Sequence, residues 1–342
     1  MTNPTSQTQV PASLPMQMYG MLNTHFLVQA LYVAASLRIA DSLADGPKRV
    51  EELAQASASH APSLYRVLRL LAGAGVFAEE DPGRFRLTPL AGTLRTDTPD
   101  SVRDWALFIA APPVWTAWSD LLHSVRTGTS AFEHAFGMPL FQYMSDHADL
   151  AGSYDNWMAK QSELQNAAVL ASYDFSVHRK IVDVGGGRGV TLVSILQTHP
   201  HVTGLLFDLP QVVTNAVVPE AIAERCEIVA GDMLQSVPAG GGLYMLKRVL
   251  MDWSDELATK ALTNCRDAMQ PDGKILVIEP VVPEGNEPGV SKDLDLTMMV
   301  MQHGGRVRTE AEHRALFEAA GLEFTRVIST PTPLCLLEGG RR

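Results

Sequence analysis

The segment Ile181-Val182-Asp183-Val184-Gly185-Gly186-Gly187-Arg188-Gly189 constrains the fold more than any other part of the chain. A short apolar run reads as a buried strand. Consecutive glycines then let the backbone turn tightly where a ligand meets the start of the next helix. That helix opens at Val190 and carries Leu192, Val193, Ile195 and Leu196. A second apolar run, Val202 to Phe207, ends on Asp208. An acid about twenty residues beyond a glycine loop suits a ribose-bearing cofactor, because a carboxylate accepts both hydroxyl protons. Gly-Gly-Gly-Arg-Gly lacks the G-x-G-x-x-G order of dinucleotide sites, and no lysine follows in a phosphate-cradling position. An adenosine cofactor without a pyrophosphate fits best.

The 342 residues, 46% of them hydrophobic, allow two domains with substantial cores. A formal net charge of -11 argues against nucleic acid as a partner, since phosphate binding needs clustered lysine and arginine. Cys226, Cys265 and Cys335 form no C-x-x-C pair, which points to reduced thiols in a cytoplasmic protein. The first residues are polar and proline-rich, without the order of a signal peptide. No apolar run reaches membrane-spanning length, so no membrane partner is expected.

Residues 1–14 read as disordered, followed by a domain over 15–100, a helical linker and lid region over 101–173, and a cofactor domain over 174–342. Met16 to Leu43 reads as one strongly apolar helix, buried on most sides and suited to packing against a second subunit. Helices over Val50 to Ala56 and Ser63 to Ala74, then two strands about the turn Asp81-Pro82-Gly83, give a winged-helix arrangement. Arg66, Arg69, Arg84 and Arg86 are the basic residues a DNA-binding wing would use, but Glu79, Glu80 and Asp81 offset them. A dimerisation and lid domain is the preferred reading. In the linker, Trp115, Trp118, Phe132, Phe136, Phe141 and Trp157 stand at helical spacing, each read singly as core. Beyond Lys180, strands over 181–184, 202–207, 226–229, 242–246, 274–279 and 323–335 alternate with helical patterns. The fold class is α/β, a Rossmann-like doubly wound and mostly parallel sheet.

Two further strand ends carry polar residues. Ile228-Val229-Ala230-Gly231 is followed by Asp232 and Met233, an acid for an adenine amino group and a thioether for the ring face. Tyr244-Met245-Leu246-Lys247-Arg248-Val249-Leu250-Met251-Asp252-Trp253 ends the fourth strand. With Gly304-Gly305-Arg306-Val307-Arg308-Thr309, these segments closely resemble the class I S-adenosylmethionine-dependent O-methyltransferases of the plant caffeate/isoflavone, acetylserotonin and bacterial natural-product type. The resemblance runs from about residue 16 to the end. It implies cofactor contacts at Gly185, Asp208, Leu209, Asp232, Met233 and Lys247, an intertwined homodimer, and no metal. It also implies a pocket in which Met158 and Met298 sandwich a planar acceptor, with Met251, Trp253 and Val307 completing the wall. Fourteen methionines suit such an adaptable surface.

Two positions depart from that family. Its proton-accepting histidine is replaced by Met251, and one of two glutamates that orient the histidine is replaced by Val307; the other is kept as Glu279. Methionine accepts no proton at neutral pH. A positioned base contributes roughly 10²–10⁴-fold. Three readings follow. The acceptor needs no protein base, being an acidic O–H or ring N–H, an amine or an electron-rich carbon. Alternatively His303, four residues before Val307, takes over the role. In the third, the protein binds the cofactor without transferring its methyl group and catalyses a rearrangement, dehydration or cyclisation. The first is preferred, with Glu279 and neighbouring Asp252 as the carboxylates left at the reaction centre.

Overall fold

The computed structural model describes residues 13–342, in two compact units that divide between Ala111 and Pro112. The expectation of disorder over 1–14 therefore lies outside the described residues, except at Ser13 and Leu14. Leu14 already opens a helix.

In the first unit, the apolar stretch 16–43 is three helices rather than one: Leu14–Leu22, Thr24–Ser36 and Ile39–Ser42. Arg38, in left-handed conformation with φ at +51°, ends the second. The first helix buries none of its residues, and Met18, Tyr19, Met21 and Leu22 are all exposed. The expected burial is thus not supplied within one chain. Strands β1 (Lys48–Arg49), β2 (Phe77–Asp81) and β3 (Arg84–Leu87) form a sheet in the order β1–β3–β2. The helices Val50–Ala56 and Ala61–Gly73 pack on it. The second carries Leu64, Leu68 and Leu71 at helical spacing, and these meet Leu53, Phe77 and Phe85 in one core. Helix, helix and hairpin make the expected winged arrangement. In the hairpin Arg86 pairs with Glu80 at 3.0 Å.

The second unit holds strands β4 (Lys180–Val184), β5 (Thr203–Asp208), β6 (Cys226–Ala230), β7 (Leu243–Lys247), β8 (Lys274–Pro280), β9 (Leu322–Ser329) and β10 (Leu334–Arg341). Among the described residues they form one sheet in the order β6–β5–β4–β7–β8–β10–β9, parallel except for β10, which is antiparallel to both neighbours. The single strand expected over 323–335 is two. Pro331 and Pro333 remove ladder donors near its C-terminal end, and Thr330 closes the turn by hydrogen bonds to Thr332 and Leu334. Along β4 the pleat sends Val182 and Val184 to one face and Ile181 to the other, so the sheet lies between two cores. The chain runs outward from β4 through β5 to β6, then returns to place β7 on the other side of β4. That reversal makes a switch point at the carboxyl ends of β4 and β7, the usual ligand crevice of such sheets.

Candidate active site

The glycine loop after β4 is held by its neighbours. Gly185, Gly187 and Gly189 have φ of +69°, +61° and +81°, a region that favours glycine. Gly186 is fixed by space, since a Cβ there would stand 2.5 Å from Leu206 Cδ1 and 2.6 Å from Asp183 Cγ. Asp208, at the end of β5, ties the loop down: Gly187 N donates to its Oδ2 at 2.8 Å and Leu209 N to its Oδ1 at 2.7 Å. Burial raises the Asp208 pKa, and these two N–H groups oppose the rise. Each oxygen keeps further acceptor capacity for a ligand. Beyond β6, Leu234 N donates to Asp232 Oδ1 at 2.8 Å, and Asn264 Nδ2 donates to the Met233 carbonyl at 2.7 Å. The loop that carries both residues is thereby fixed. Leu209 is exposed, and Met233 packs against the sheet core.

Lys247 ends β7 in a polar network. Its Nζ donates to Thr191 Oγ1 at 3.2 Å and Asn166 Oδ1 at 3.4 Å, and Thr191 donates to the same Asn166 oxygen at 3.0 Å. Asn166 also pins the long helix Ala148–Ser172 to the Val190–Thr198 helix through Ser194. Burial, and then the charge of Arg248, lower the Lys247 pKa. Asp183, on the middle of the sheet, escaped the sequence reading. Its carboxyl is 1% exposed, both oxygens lack a partner, and burial raises its pKa while Lys247 opposes the rise.

The other half of the site is apolar. Met251, Met298 and Val307 come together in one buried cluster, with Val282 and Leu294 packed against it. The Gly304-Gly305 pair makes this approach possible: a Cβ on Gly305 would meet the Met251 carbonyl at 3.0 Å, and Arg306 N donates to that carbonyl at 2.8 Å. Arg308 is fully buried and clamps the Leu250–Trp253 turn, donating to the carbonyls of Leu250 and Trp253 and to Asp255, each at 2.8 Å. Trp253 packs on the sheet core and is not part of the cluster. Met158 is half-buried on the long helix and is not among the residues packed on the cluster.

Glu279 lies beneath Met251. It is 1% exposed, and its Oε1 accepts the Met251 amide at 3.0 Å. Burial pushes its pKa up to about 7 against that bond and the charge of Arg308. Asp252 is also pushed up to about 7, by burial and then by Glu279. His303 does not join them: its side chain is 67% exposed, with Nδ1 2.9 Å from Glu133 Oε2. The histidine beside Glu279 is His313, fully buried, with Nε2 3.8 Å from Glu279 Oε2. Neither of its ring nitrogens has a partner, and burial pulls its pKa down to about 3. Sequence periodicity carried a signal for it, since His313 is in phase with buried Leu316 and Phe317 on one helix face.

The glycine loop and the strand-end acids at a switch point describe a fold and a ligand crevice. Comparison with known proteins identifies the lineage. The O-methyltransferase domain family matches residues 118–323, and the O-methyltransferase dimerisation domain family matches residues 19–97. The chain belongs to this O-methyltransferase family. It is 42% identical over 321 residues to the phenazine O-methyltransferase PhzM of Lysobacter antibioticus, covering 93% of this chain and 94% of that one. It is 35% identical over 304 residues to the 8-amino-8-demethylriboflavin N,N-dimethyltransferase of Streptomyces davaonensis, covering 87% of each. Its fold superimposes with a TM-score of 0.84 on CalO1, a methyltransferase in calicheamicin biosynthesis solved with S-adenosylhomocysteine bound, at 36% identity over 96% of this chain and 98% of that one. The protein is an S-adenosylmethionine-dependent methyltransferase, and S-adenosylmethionine is its cofactor.

Proposed function

We propose that this enzyme methylates a small planar aromatic metabolite at an atom that needs no proton-accepting side chain at position 251. The observation that carries the reading is the buried cluster of Met251, Met298 and Val307, apolar where the family's histidine and glutamate would stand. The relatives support an aromatic acceptor without fixing the atom, one being named for phenazine O-methylation and one for dimethylation of a riboflavin amine.

The cofactor fits the polar half. Asp208 suits the ribose diol, Asp232 the adenine amino group, Met233 the adenine face, and Leu209 and Gly185 the close approach of the nucleoside. Lys247 suits the carboxylate of the methionine moiety. Asp183, whose two oxygens lack partners, suits a cationic group. The bound cofactor supplies a methyl group already activated on a sulfonium. The chain then has to place an acceptor in line and exclude water. Met298 and Met251 give the ring an adaptable apolar seat, against which Met158 and Trp253 do not pack. Glu279 and Asp252, both poised near neutral pH, are the carboxylates that can accept a hydrogen bond from an acceptor N–H or O–H. His303, exposed and paired with Glu133, takes no part in the chemistry.

The exposed apolar helix Leu14–Leu22 and the matched dimerisation domain support a homodimer, and in the wing Arg86 is paired with Glu80. Among the described residues no helix is long and apolar enough to cross a membrane. Incubation with methyl-labelled S-adenosylmethionine and a small-molecule extract of the native host tests the reading. Labelled product and demethylated cofactor in equal amounts are expected. An unlabelled product formed while the cofactor stays intact would instead make the protein a cofactor-assisted rearrangement catalyst.

A further inference from the structure

Two short helices of the second unit, Leu121–Thr127 and Ala131–Phe136, bring together three side chains that have no part in the crevice described above. Asp120 stands just before the first helix, and His123 follows three residues later, so both reach the same side. The chain reverses at Gly128, whose φ is +73°. Ser130 then caps the second helix, its Oγ accepting from Glu133 N at 3.2 Å, and that helix supplies His134.

His134 Nδ1 is 2.6 Å from Asp120 Oδ2, and the rings of His123 and His134 lie 3.7 Å apart at an angle of 8°. One ligand atom from each of the three residues falls within 4.8 Å of the other two. Among the described residues no other three histidine, cysteine, aspartate or glutamate side chains converge in this way. His123 Nε2 also lies 3.0 Å from Thr129 Oγ1, the kind of outer contact that fixes a ligating ring. Each imidazole has two nitrogens and the carboxylate two oxygens, so these bonds leave donor atoms to spare. Asp120 and His134 keep 36% and 56% of their side-chain surface exposed, which gives an ion from solvent a way in. One carboxylate with two imidazoles suits zinc and its transition-metal neighbours; magnesium and calcium take oxygen sets.

We propose that Asp120, His123 and His134 form a binding site for a divalent transition-metal ion of the zinc type, distinct from the cofactor and acceptor residues. Loading exchanges the Asp120–His134 hydrogen bond for coordination. It also turns the two exposed rings out of their parallel stack, so that their lone pairs meet at one point. Three protein ligands and a water then complete four-coordination. The ion braces the two helices against each other. They already grip the helix Val290–Met301, which carries Met298, through Ser130 Oγ, a donor to the Val300 carbonyl at 3.0 Å. The site is thus structural, and its stabilisation follows the free metal concentration.

The test is calorimetric titration of tag-free, chelator-treated protein with Zn²⁺, with thermal melts run in parallel. One ion per chain is expected, with a Kd of about 10 μM or tighter, and a melting temperature that rises with free Zn²⁺. His134→Gln and Asp120→Asn should each weaken Zn²⁺ binding at least about tenfold and remove most of that rise. Unchanged S-adenosylhomocysteine affinity and metal-free melting temperature in the variants show that they fold. Wild-type binding weaker than about 10 μM overturns the proposal and leaves a hydrogen-bonded cluster only. Binding at full strength in the His123→Gln/His134→Gln double variant also overturns it, and places the ion on other side chains.

Discussion

The two halves of the crevice are built on different terms. The proposed cofactor half is made by strand ends and backbone: glycines at 185 and 186 that leave no room for a Cβ, Asp208 held by N–H groups of the glycine loop and of Leu209, and Asp232 held by an N–H of its own loop. The proposed acceptor half is made by side-chain packing of Met251, Met298 and Val307 over a buried carboxylate. Backbone geometry is unforgiving, since adding one carbon to Gly186 forces Leu206 or Asp183 to move. Apolar packing with methionine tolerates exchange. The proposed binding of the cofactor belongs to the rigid half. The apolar residues at 251 and 307 stand in the half that can absorb exchange.

The largest effect is expected where the rigid half is overfilled. Gly186→Val puts atoms within 2.5 Å of Leu206, and overpacking of about 1–3 kcal/mol becomes a roughly 10- to 100-fold loss of S-adenosylhomocysteine affinity by calorimetry. Unchanged affinity would place the cofactor elsewhere.

A second effect concerns the buried carboxylate. The folded pKa of Glu279 is raised from 4.5 to about 7, so the fold favours the protonated form. Its contribution is intact below the unfolded value and is lost as pH rises towards the folded value, by up to about 3 kcal/mol. Glu279→Gln should remove this segment of the stability–pH curve, as read by urea melts at about pH 4.5 and about pH 8. Equal slopes in the variant and the parent protein would show that Glu279 is not held protonated.

In the adaptable half the effects are smaller. Met251→Ala or Val307→Ala should weaken acceptor binding about tenfold, the loss expected for a buried side chain of this size, and change the single-turnover rate less. A rate loss beyond about a hundredfold at unchanged acceptor affinity would show that the cluster serves the chemical step itself. Least of all should follow from His303→Ala. Exposed substitutions stay within about 0.5 kcal/mol, or roughly twofold in rate.

The cofactor half was legible in the sequence because its signals are local. Glycine spacing, strand-end acids and period-two strands sit next to one another in the chain, and β4 to β8 fall within a residue or two of expectation. Much of the rest depends on contacts between distant segments. Arg248, Arg308 and His313 look like surface residues by type, and only the approach of the Gly304–Thr309 segment to the Leu250–Trp253 turn buries Arg308. His303 stood close to Val307 in sequence but turns to Glu133, while His313 reaches Glu279 from the next helix. The Thr330–Pro333 turn is marked only by its two prolines, set in an apolar run that otherwise reads as one strand.

The most direct measurement restores the missing base. Met251→His should be compared with the parent protein in single-turnover methyl transfer, at saturating cofactor and the acceptor found by labelling. An acceptor that needs no protein base predicts no gain and a modest loss from crowding of the methionine cluster. An acceleration of about a hundredfold or more, the range a positioned base contributes, would contradict the account and show that position 251 lacks a group the reaction uses.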